Sequence, residues 1–154
     1  MEPGDRAARR GVVRDALAIG VTSGAYAVSF GALGVAAGLS VVQTCALSLL
    51  MFTGASQFAL LGVLAGGGGA ISAAATAALV GSRNALYALR VAPLLRVRGV
   101  RRLLAAQLVI DESTAMAAAR PPGRLARLAF YSTGLSVLAW WNLGTLVGAL
   151  GGQA

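Results

Sequence analysis

Charge is scarce over most of this chain. Charged residues make up 12% of its 154 residues, and none occurs between residues 16 and 82. In a typical soluble domain roughly a quarter of the residues are charged, because the surface must be hydrated. Hydrophobic residues make up 57% of the chain, enough for several of the ~20-residue stretches that cross a bilayer. The composition excludes an ordinary soluble domain and indicates a membrane protein.

Histidine is absent, and Cys45 is the only cysteine. Without histidine the chain lacks the commonest metal ligand and general base. A lone cysteine in an apolar run allows neither a disulfide framework nor a thiolate metal site. We therefore expect no metal and no cofactor, and any proton chemistry must use carboxylates.

Lysine is absent too, so all thirteen basic residues are arginines, and the formal net charge is +8. Eleven of them form three clusters: Arg6, Arg9, Arg10 and Arg14; Arg96, Arg98, Arg101 and Arg102; Arg120, Arg124 and Arg127. These clusters lack interleaved aromatics and any recognisable nucleic-acid module, so we expect no nucleic-acid partner. Because they flank apolar segments, we expect them to face anionic headgroups and the cytoplasm.

The start of the chain allows two interpretations. An arginine-rich beginning, an apolar run and Ala25-Tyr26-Ala27 are typical of a cleaved signal peptide. The apolar run continues to Leu39, however, which is long enough for a retained span. The simpler prediction is a cytoplasmic N-terminus over residues 1–15, followed by a single transmembrane helical domain over residues 16–154.

Five apolar segments predict an all-α, polytopic membrane bundle. Their approximate bounds are residues 16–39, 41–64, 70–93, 103–119 and 128–150. Three GxxxG pairs lie in the first and fifth segments: Gly20/Gly24, Gly34/Gly38 and Gly144/Gly148. Such pairs favour close helix packing. The alternative is that the missing side chains leave space for a ligand beside the backbone. Tyr131, Trp140 and Trp141 are typical of residues at the membrane interface.

The positive-inside rule conflicts with three full spans at the start of the chain. With the N-terminus inside, the arginines at residues 96–102 would then lie outside. A re-entrant or broken segment among the first four removes this conflict, and the second and fourth segments are the candidates. The fourth, with Asp111-Glu112-Ser113-Thr114 at its middle, is either a span bent around a polar pocket or a re-entrant hairpin.

Arg83, Asp111 and Glu112 are the charges expected inside the bilayer, where each costs at least about 2.5–3.5 kcal/mol. No other acid lies beyond Asp15, so an ion pair of Arg83 within this chain must use Asp111 or Glu112. The acid left over can take up and release a proton. The alternative is a static ion pair that joins two helices.

Two further groups of polar residues have competing interpretations. Arg83, Tyr87 and Arg90 share one helical face, although Arg90 is close enough to a helix end to reach the headgroups. Ser56 and Gln57 either hydrogen-bond a neighbouring helix, at roughly 0.6 kcal/mol each, or belong to a helix unwound near Gly54. An unwound helix would offer backbone groups and an amide to a zwitterionic substrate.

Three ordered motifs resemble the AzlC family, the large subunit of bacterial branched-chain amino acid transporters. They are Phe52-Thr53-Gly54-Ala55-Ser56-Gln57-Phe58, Ser82-Arg83-Asn84-Ala85-Leu86-Tyr87 and Asp111-Glu112-Ser113. The resemblance spans about residues 15–150. It implies export of valine and related amino acids together with a small AzlD-type membrane subunit.

The chain departs from the family pattern in two ways. Family members usually carry Asn-Leu-Arg-His where this chain has Gly81-Ser82-Arg83-Asn84, so no histidine role transfers. The chain is also short and corresponds to about the N-terminal two thirds of the family's fold. A truncated, inactive form is therefore one alternative.

The leading prediction, implied by the resemblance, is a multi-pass secondary transporter subunit of the bacterial inner membrane that exports branched-chain, valine-like amino acids by a proton-coupled cycle. Its predicted substrate-binding residues are Gly54, Ser56, Gln57, Arg83, Asn84 and Tyr87, with Asp111 and Glu112 as proton-coupling or ion-pair residues. An intramembrane enzyme is disfavoured, because only an acid is available to activate Ser56. A non-transporting scaffold subunit is the other alternative.

Overall fold

A computed structural model of the chain describes residues 3–152, apart from the side chain of residue 3. These residues form eight helices and no strand. In chain order the helices are α1 (Pro3–Ala36), α2 (Val41–Leu50), α3 (Ala55–Ala65), α4 (Ala70–Gly81), α5 (Arg83–Leu95), α6 (Val100–Gln107), α7 (Asp111–Ala118) and α8 (Arg124–Gly151). The predicted all-α fold is confirmed.

Helix length separates two helices from the rest. Within the described residues, α1 and α8 are the two that are long and apolar enough to cross a membrane. With 34 and 28 residues, they measure about 51 Å and 42 Å at 1.5 Å per residue, against ~30 Å of hydrocarbon. Helices α2, α3, α6 and α7 have 8 to 11 residues, so each covers about half that thickness.

Helices α1 and α8 pack side by side and run in the same direction. A Cβ on Gly24 would lie 2.6 Å from the Trp140 carbonyl oxygen, and Gly148 lies directly against the backbone of Val28. Residues later in α1 therefore contact residues later in α8, so the two helices are parallel. The close packing predicted from the GxxxG pairs is confirmed for this helix pair.

The second apolar segment forms a helical hairpin of α2 and α3, called here the first hairpin. Helix α2 begins at the C-terminal end of α1, where Thr44 packs on Gly34. The chain turns at residues 51–54 and α3 returns, so that Gln57 Nε2 donates to the carbonyl oxygens of Leu47 and Ser48, at 3.2 Å each. The tip of this hairpin lies near the middle of α8.

Helices α4 and α5, separated by Ser82 alone, form one long element that runs back past this tip. Near its middle, a Cβ on Gly81 would lie 3.0 Å from Ser56 Oγ. At its end, Val91 and Leu95 belong to the apolar cluster that contains Phe130, in the second turn of α8. The element therefore ends level with the start of α8.

Helices α6 and α7 form the second hairpin, which enters the molecule from the opposite end to the first. Its tip, at residues 108–110, returns to the middle of the molecule, where Asn84 Nδ2 donates to the Val109 carbonyl oxygen at 3.0 Å. Gln107 Nε2 donates to the Leu49 carbonyl oxygen at 2.7 Å and ties the two hairpins together. A long element followed by a hairpin thus occurs twice, in opposite directions.

The three arginine clusters lie at one end of the molecule, called here the arginine end. Arg9 and Arg124 line one cavity there, Arg120 lies 4.0 Å from Asp15, and Val97 packs on the cluster that contains Phe130. Because the first hairpin turns back, residues 96–102 return to the side of the N-terminus. Sequence reasoning allowed for one re-entrant or broken segment, whereas the structure has two hairpins.

Candidate functional site

A central cavity of about 510 Å³ lies where the tips of the two hairpins meet. It is lined by residues from five of the elements: Tyr26, Phe52, Thr53, Gly54, Ala55, Phe58, Arg83, Asn84, Ile110, Asp111, Glu112, Val137 and Trp141. Four of the eight predicted site residues are charged or polar side chains of this wall, namely Arg83, Asn84, Asp111 and Glu112. Gly54 contributes backbone.

An ion pair joins the two halves of the cavity. Arg83 Nη2 lies 3.0 Å from Asp111 Oδ2, and the two side chains are 39% and 46% exposed. Arg83 is the first residue of α5 and Asp111 is the first residue of α7. The break between α4 and α5 therefore lies beside the turn between α6 and α7. Among the described residues the buried Arg83 Nε atom has no hydrogen-bond partner. The Tyr87 hydroxyl interacts with Asp111.

Glu112 differs from its neighbour Asp111. It lines the same cavity and is partly buried, but none of the ion pairs found among residues 3–152 includes it. The leftover acid anticipated from the sequence is therefore Glu112.

The first turns of α3 and α7 both open onto the cavity. The N–H groups of a first helical turn have no carbonyl partner within their own helix, and they carry a partial positive charge. Gly54 precedes α3 and supplies no side-chain cap. Its φ of 57° is one that a residue with a Cβ rarely adopts. The Gln57 N–H already donates to the Gly54 carbonyl oxygen at 2.9 Å, so the backbone donors that this tip can present to a carboxylate are the N–H groups of Ala55 and Ser56.

Aromatic rings form the apolar side of the cavity. The ring centroids of Tyr26 and Phe58 are 5.3 Å apart, and those of Phe58 and Trp141 are 6.4 Å apart. Phe30 packs behind them and is fully buried. Sequence reasoning missed this wall, because Tyr26 lies in the first segment and Trp141 was interpreted as an interfacial residue. Trp141 is instead 6% exposed.

Ser56, Gln57 and Tyr87 are predicted site residues that do not line the cavity. Gln57 is fully buried and its amide nitrogen caps the end of α2, an arrangement that favours the helix-packing interpretation. Ser56 is also buried, against Gly81, with no hydrogen-bond partner for its hydroxyl among the described residues. In the second hairpin, Ser113 acts as Gln57 does, since its hydroxyl donates to the Leu108 carbonyl oxygen at 2.6 Å.

Arg90, on the face of α5 that carries Arg83 and Tyr87, is exposed outside the cavity. It lies two turns further along the helix, towards the arginine end. This position agrees with an arginine that extends to the headgroups rather than one that serves a buried site.

The chain was compared with protein families, curated proteins and solved structures. No curated protein and no solved structure matched it. Residues 18–154 match the family described as AzlC protein, which is nearly the whole chain. The match includes all of the hairpins and the central cavity. The chain therefore belongs to the AzlC family, and it is a membrane transport-related protein.

Proposed function

We propose that this chain is the transporter subunit that moves branched-chain, valine-like amino acids across the bacterial inner membrane by proton-coupled export. The observation that carries the proposal is the Arg83–Asp111 ion pair at 3.0 Å in the wall of the central cavity. Charged groups at membrane depth are costly and mark substrate or ion pathways. Family membership supports transport in general, and the substrate and coupling are part of the proposal.

The cavity has complementary groups for each part of a zwitterionic amino acid. The substrate carboxylate meets Arg83 and the first-turn N–H groups of α3. The substrate ammonium meets Asp111 or Glu112. The aliphatic side chain rests on the aromatic wall of Tyr26, Phe58 and Trp141, where burial of apolar surface contributes about 25 cal/mol per Å².

Glu112 is the proposed proton carrier. The chain contains no histidine, so a carboxyl group must serve, and Asp111 is already engaged by Arg83. Protonation of Glu112 removes a negative charge from the cavity and weakens its attraction for the substrate ammonium. Proton binding and substrate release are thereby coupled in one cavity.

The proposed membrane orientation places the arginine end in the cytoplasm. Positively charged residues are retained on that side. Because all three arginine clusters lie at the same end of the molecule, they favour the same orientation. The first hairpin then enters from the outer face and the second from the cytoplasmic face. In secondary transporters, discontinuous helices that meet near the midplane from opposite sides typically form the substrate site.

A small AzlD-type membrane subunit is the proposed partner. Arg83 and Asp111 are nearly half exposed in the isolated chain, and charges at this depth cannot face lipid at low cost. A transmembrane segment of the partner would close the open side of the cavity. A scaffold role is the competing function, because a chain with an open cavity could serve only to assemble the complex without binding substrate.

Transport of labelled valine in vesicles that contain both subunits tests the proposal. We expect Arg83→Ala to reduce transport by about tenfold or more, since a charge-assisted hydrogen bond contributes roughly 1.5–3 kcal/mol. Arg90→Ala, on the same helix but outside the cavity, is the matched control and should stay close to wild type. Equal transport by wild type and Arg83→Ala would overturn the assignment, and no transport by wild type would favour the scaffold.

A further inference from the structure

Two adjoining cavities lie at the arginine end, outside the proposed transport site. One, of about 560 Å³, is lined by Asp5, Arg9, Arg124, Leu125 and Leu128. The other, of about 480 Å³, is lined by Arg9, Arg10, Val13, Arg14, Leu17 and Leu128. They share Arg9 and Leu128, so together they form one groove between the first turns of α1 and α8.

The groove has a basic part and an apolar part. Its guanidinium groups come from both helices, with Arg9, Arg10 and Arg14 on α1 and Arg124 on α8, and the carboxylate of Asp5 also lines it. Arg14 Nη2 already lies 3.2 Å from Asp15 Oδ1, so the arginines outnumber the acids that could neutralise them. Helix α8 also begins here after Gly123, which makes no side-chain cap, so the first N–H groups of the helix remain available. This part of the groove is suited to a phosphate group.

The apolar part continues along the helices towards the middle of the molecule. It consists of Val13 and Leu17 on α1 and of Leu125 and Leu128 on α8. Leu17 is 51% exposed, so it offers free surface to a hydrocarbon chain. A free phosphate ion would use the arginines and leave these side chains without a partner.

We propose that this groove binds an anionic phospholipid, with its headgroup phosphate among the arginines and an acyl chain against the leucines. Basic pockets between membrane helices on the cytoplasmic side suit anionic headgroups. The arrangement differs from a general attraction of arginines to the membrane surface, because two helices and an apolar floor define one position. Lipid binding here does not depend on what the chain transports.

Native mass spectrometry of the full chain in detergent, with phosphatidylglycerol added, tests the proposal. We expect wild type to retain phosphatidylglycerol in preference to phosphatidylcholine. The double variant Arg9→Gln/Arg124→Gln should bind it about thirtyfold more weakly, since each arginine near an anionic surface contributes roughly 1 kcal/mol. Arg98→Gln/Arg101→Gln, which removes the same charge from the same end but outside both cavities, is the matched control.

Three outcomes would overturn the proposal. Equal weakening in the control pair would show attraction by charge alone, and equal retention of phosphatidylcholine would show no headgroup preference. Displacement of the lipid by millimolar inorganic phosphate would show an anion site without a lipid. Leu128→Ala is expected to weaken lipid retention without altering the melting temperature in phosphatidylcholine, which separates loss of the apolar floor from loss of folding.

Discussion

At the scale of single residues, Asp111 and Glu112 differ in their ion pairing with Arg83. The two acids are adjacent in sequence and line one cavity, yet only Asp111 has an arginine partner among the described residues. Both lie in the first turn of α7, where the helix dipole favours negative charge. An ion-paired carboxylate and a carboxyl group outside every ion pair found among the described residues therefore lie side by side.

Glu112→Gln tests the proposed proton step. The amide keeps the shape of the side chain but can neither ionise nor release a proton, so we expect transport driven by a proton gradient to be lost. Exchange of labelled for unlabelled valine across the vesicle membrane, which needs no net proton movement, should persist. Valine flux measured with and without an imposed pH gradient separates the two activities.

The control for this variant is Asp5→Asn, which removes one carboxylate from the arginine end. It should respond to the pH gradient as wild type does. Gradient-driven transport that survives in Glu112→Gln would contradict the assignment of the proton to Glu112.

At the scale of helices, close approach of α1 and α8 organises the molecule. Gly144 lies against the backbone of Gly24, so a side chain at position 144 has no space. Two parallel helices in direct backbone contact form a rigid support along which both hairpins pack. The central cavity is built on one side of that support.

Gly144→Ala is expected to destabilise the fold by about 1–3 kcal/mol, because an added methyl group forces the two helices apart. The measurement is the melting temperature of the purified chain in detergent. Gly62→Ala is the matched control, since Gly62 also lies inside a helix but has nothing within 4 Å of its Cβ position. A melting temperature that falls equally in both variants would contradict the packing account.

The short helices of the two hairpins end inside the molecule, and side chains stabilise their turns. Each hairpin needs a turn inside the molecule, where backbone groups must find partners. Side-chain amides and a hydroxyl supply them: Gln57 and Gln107 donate to carbonyl groups at the end of α2, and Ser113 donates to the carbonyl of Leu108. These polar residues maintain the turns, whereas the charged residues line the cavity.

At the scale of the whole molecule, the two inverted units explain the charge distribution. Because each long element is followed by a hairpin that returns to its own side, the chain runs the full length of the molecule in α1, in α4 with α5, and in α8. All three arginine clusters then reach one end. The proposed orientation follows from this arrangement and from the cytoplasmic preference of arginine.

Cysteine labelling tests the orientation in a chain with Cys45→Ser. Gly69→Cys lies in the loop between α3 and α4, and Arg98→Cys lies between α5 and α6 at the arginine end. We expect a membrane-impermeant maleimide added to intact spheroplasts to label position 69 but to reach position 98 only after permeabilisation. Labelling of position 98 in intact cells would contradict a cytoplasmic arginine end.

Much of this architecture could be predicted from the sequence. The apolar segments predict helices, because a chain in hydrocarbon must satisfy its backbone hydrogen bonds internally. The scarcity of acids restricts the partner of Arg83 to two residues. The arginine clusters require that a segment turn back. These inferences depend on composition and charge, which need no knowledge of contacts.

The tertiary structure alone decided which acid pairs with Arg83, which polar residues line the cavity and which aromatic rings complete it. Asp111 and Glu112 are adjacent in the sequence, and the position of each side chain on the first turn of α7 places Asp111, not Glu112, in an ion pair with Arg83. Tyr26 and Trp141 lie far apart in the sequence, yet their ring centroids are 6.5 Å apart. Sequence specifies which groups must avoid lipid, but the packing of parallel helices determines where those groups meet.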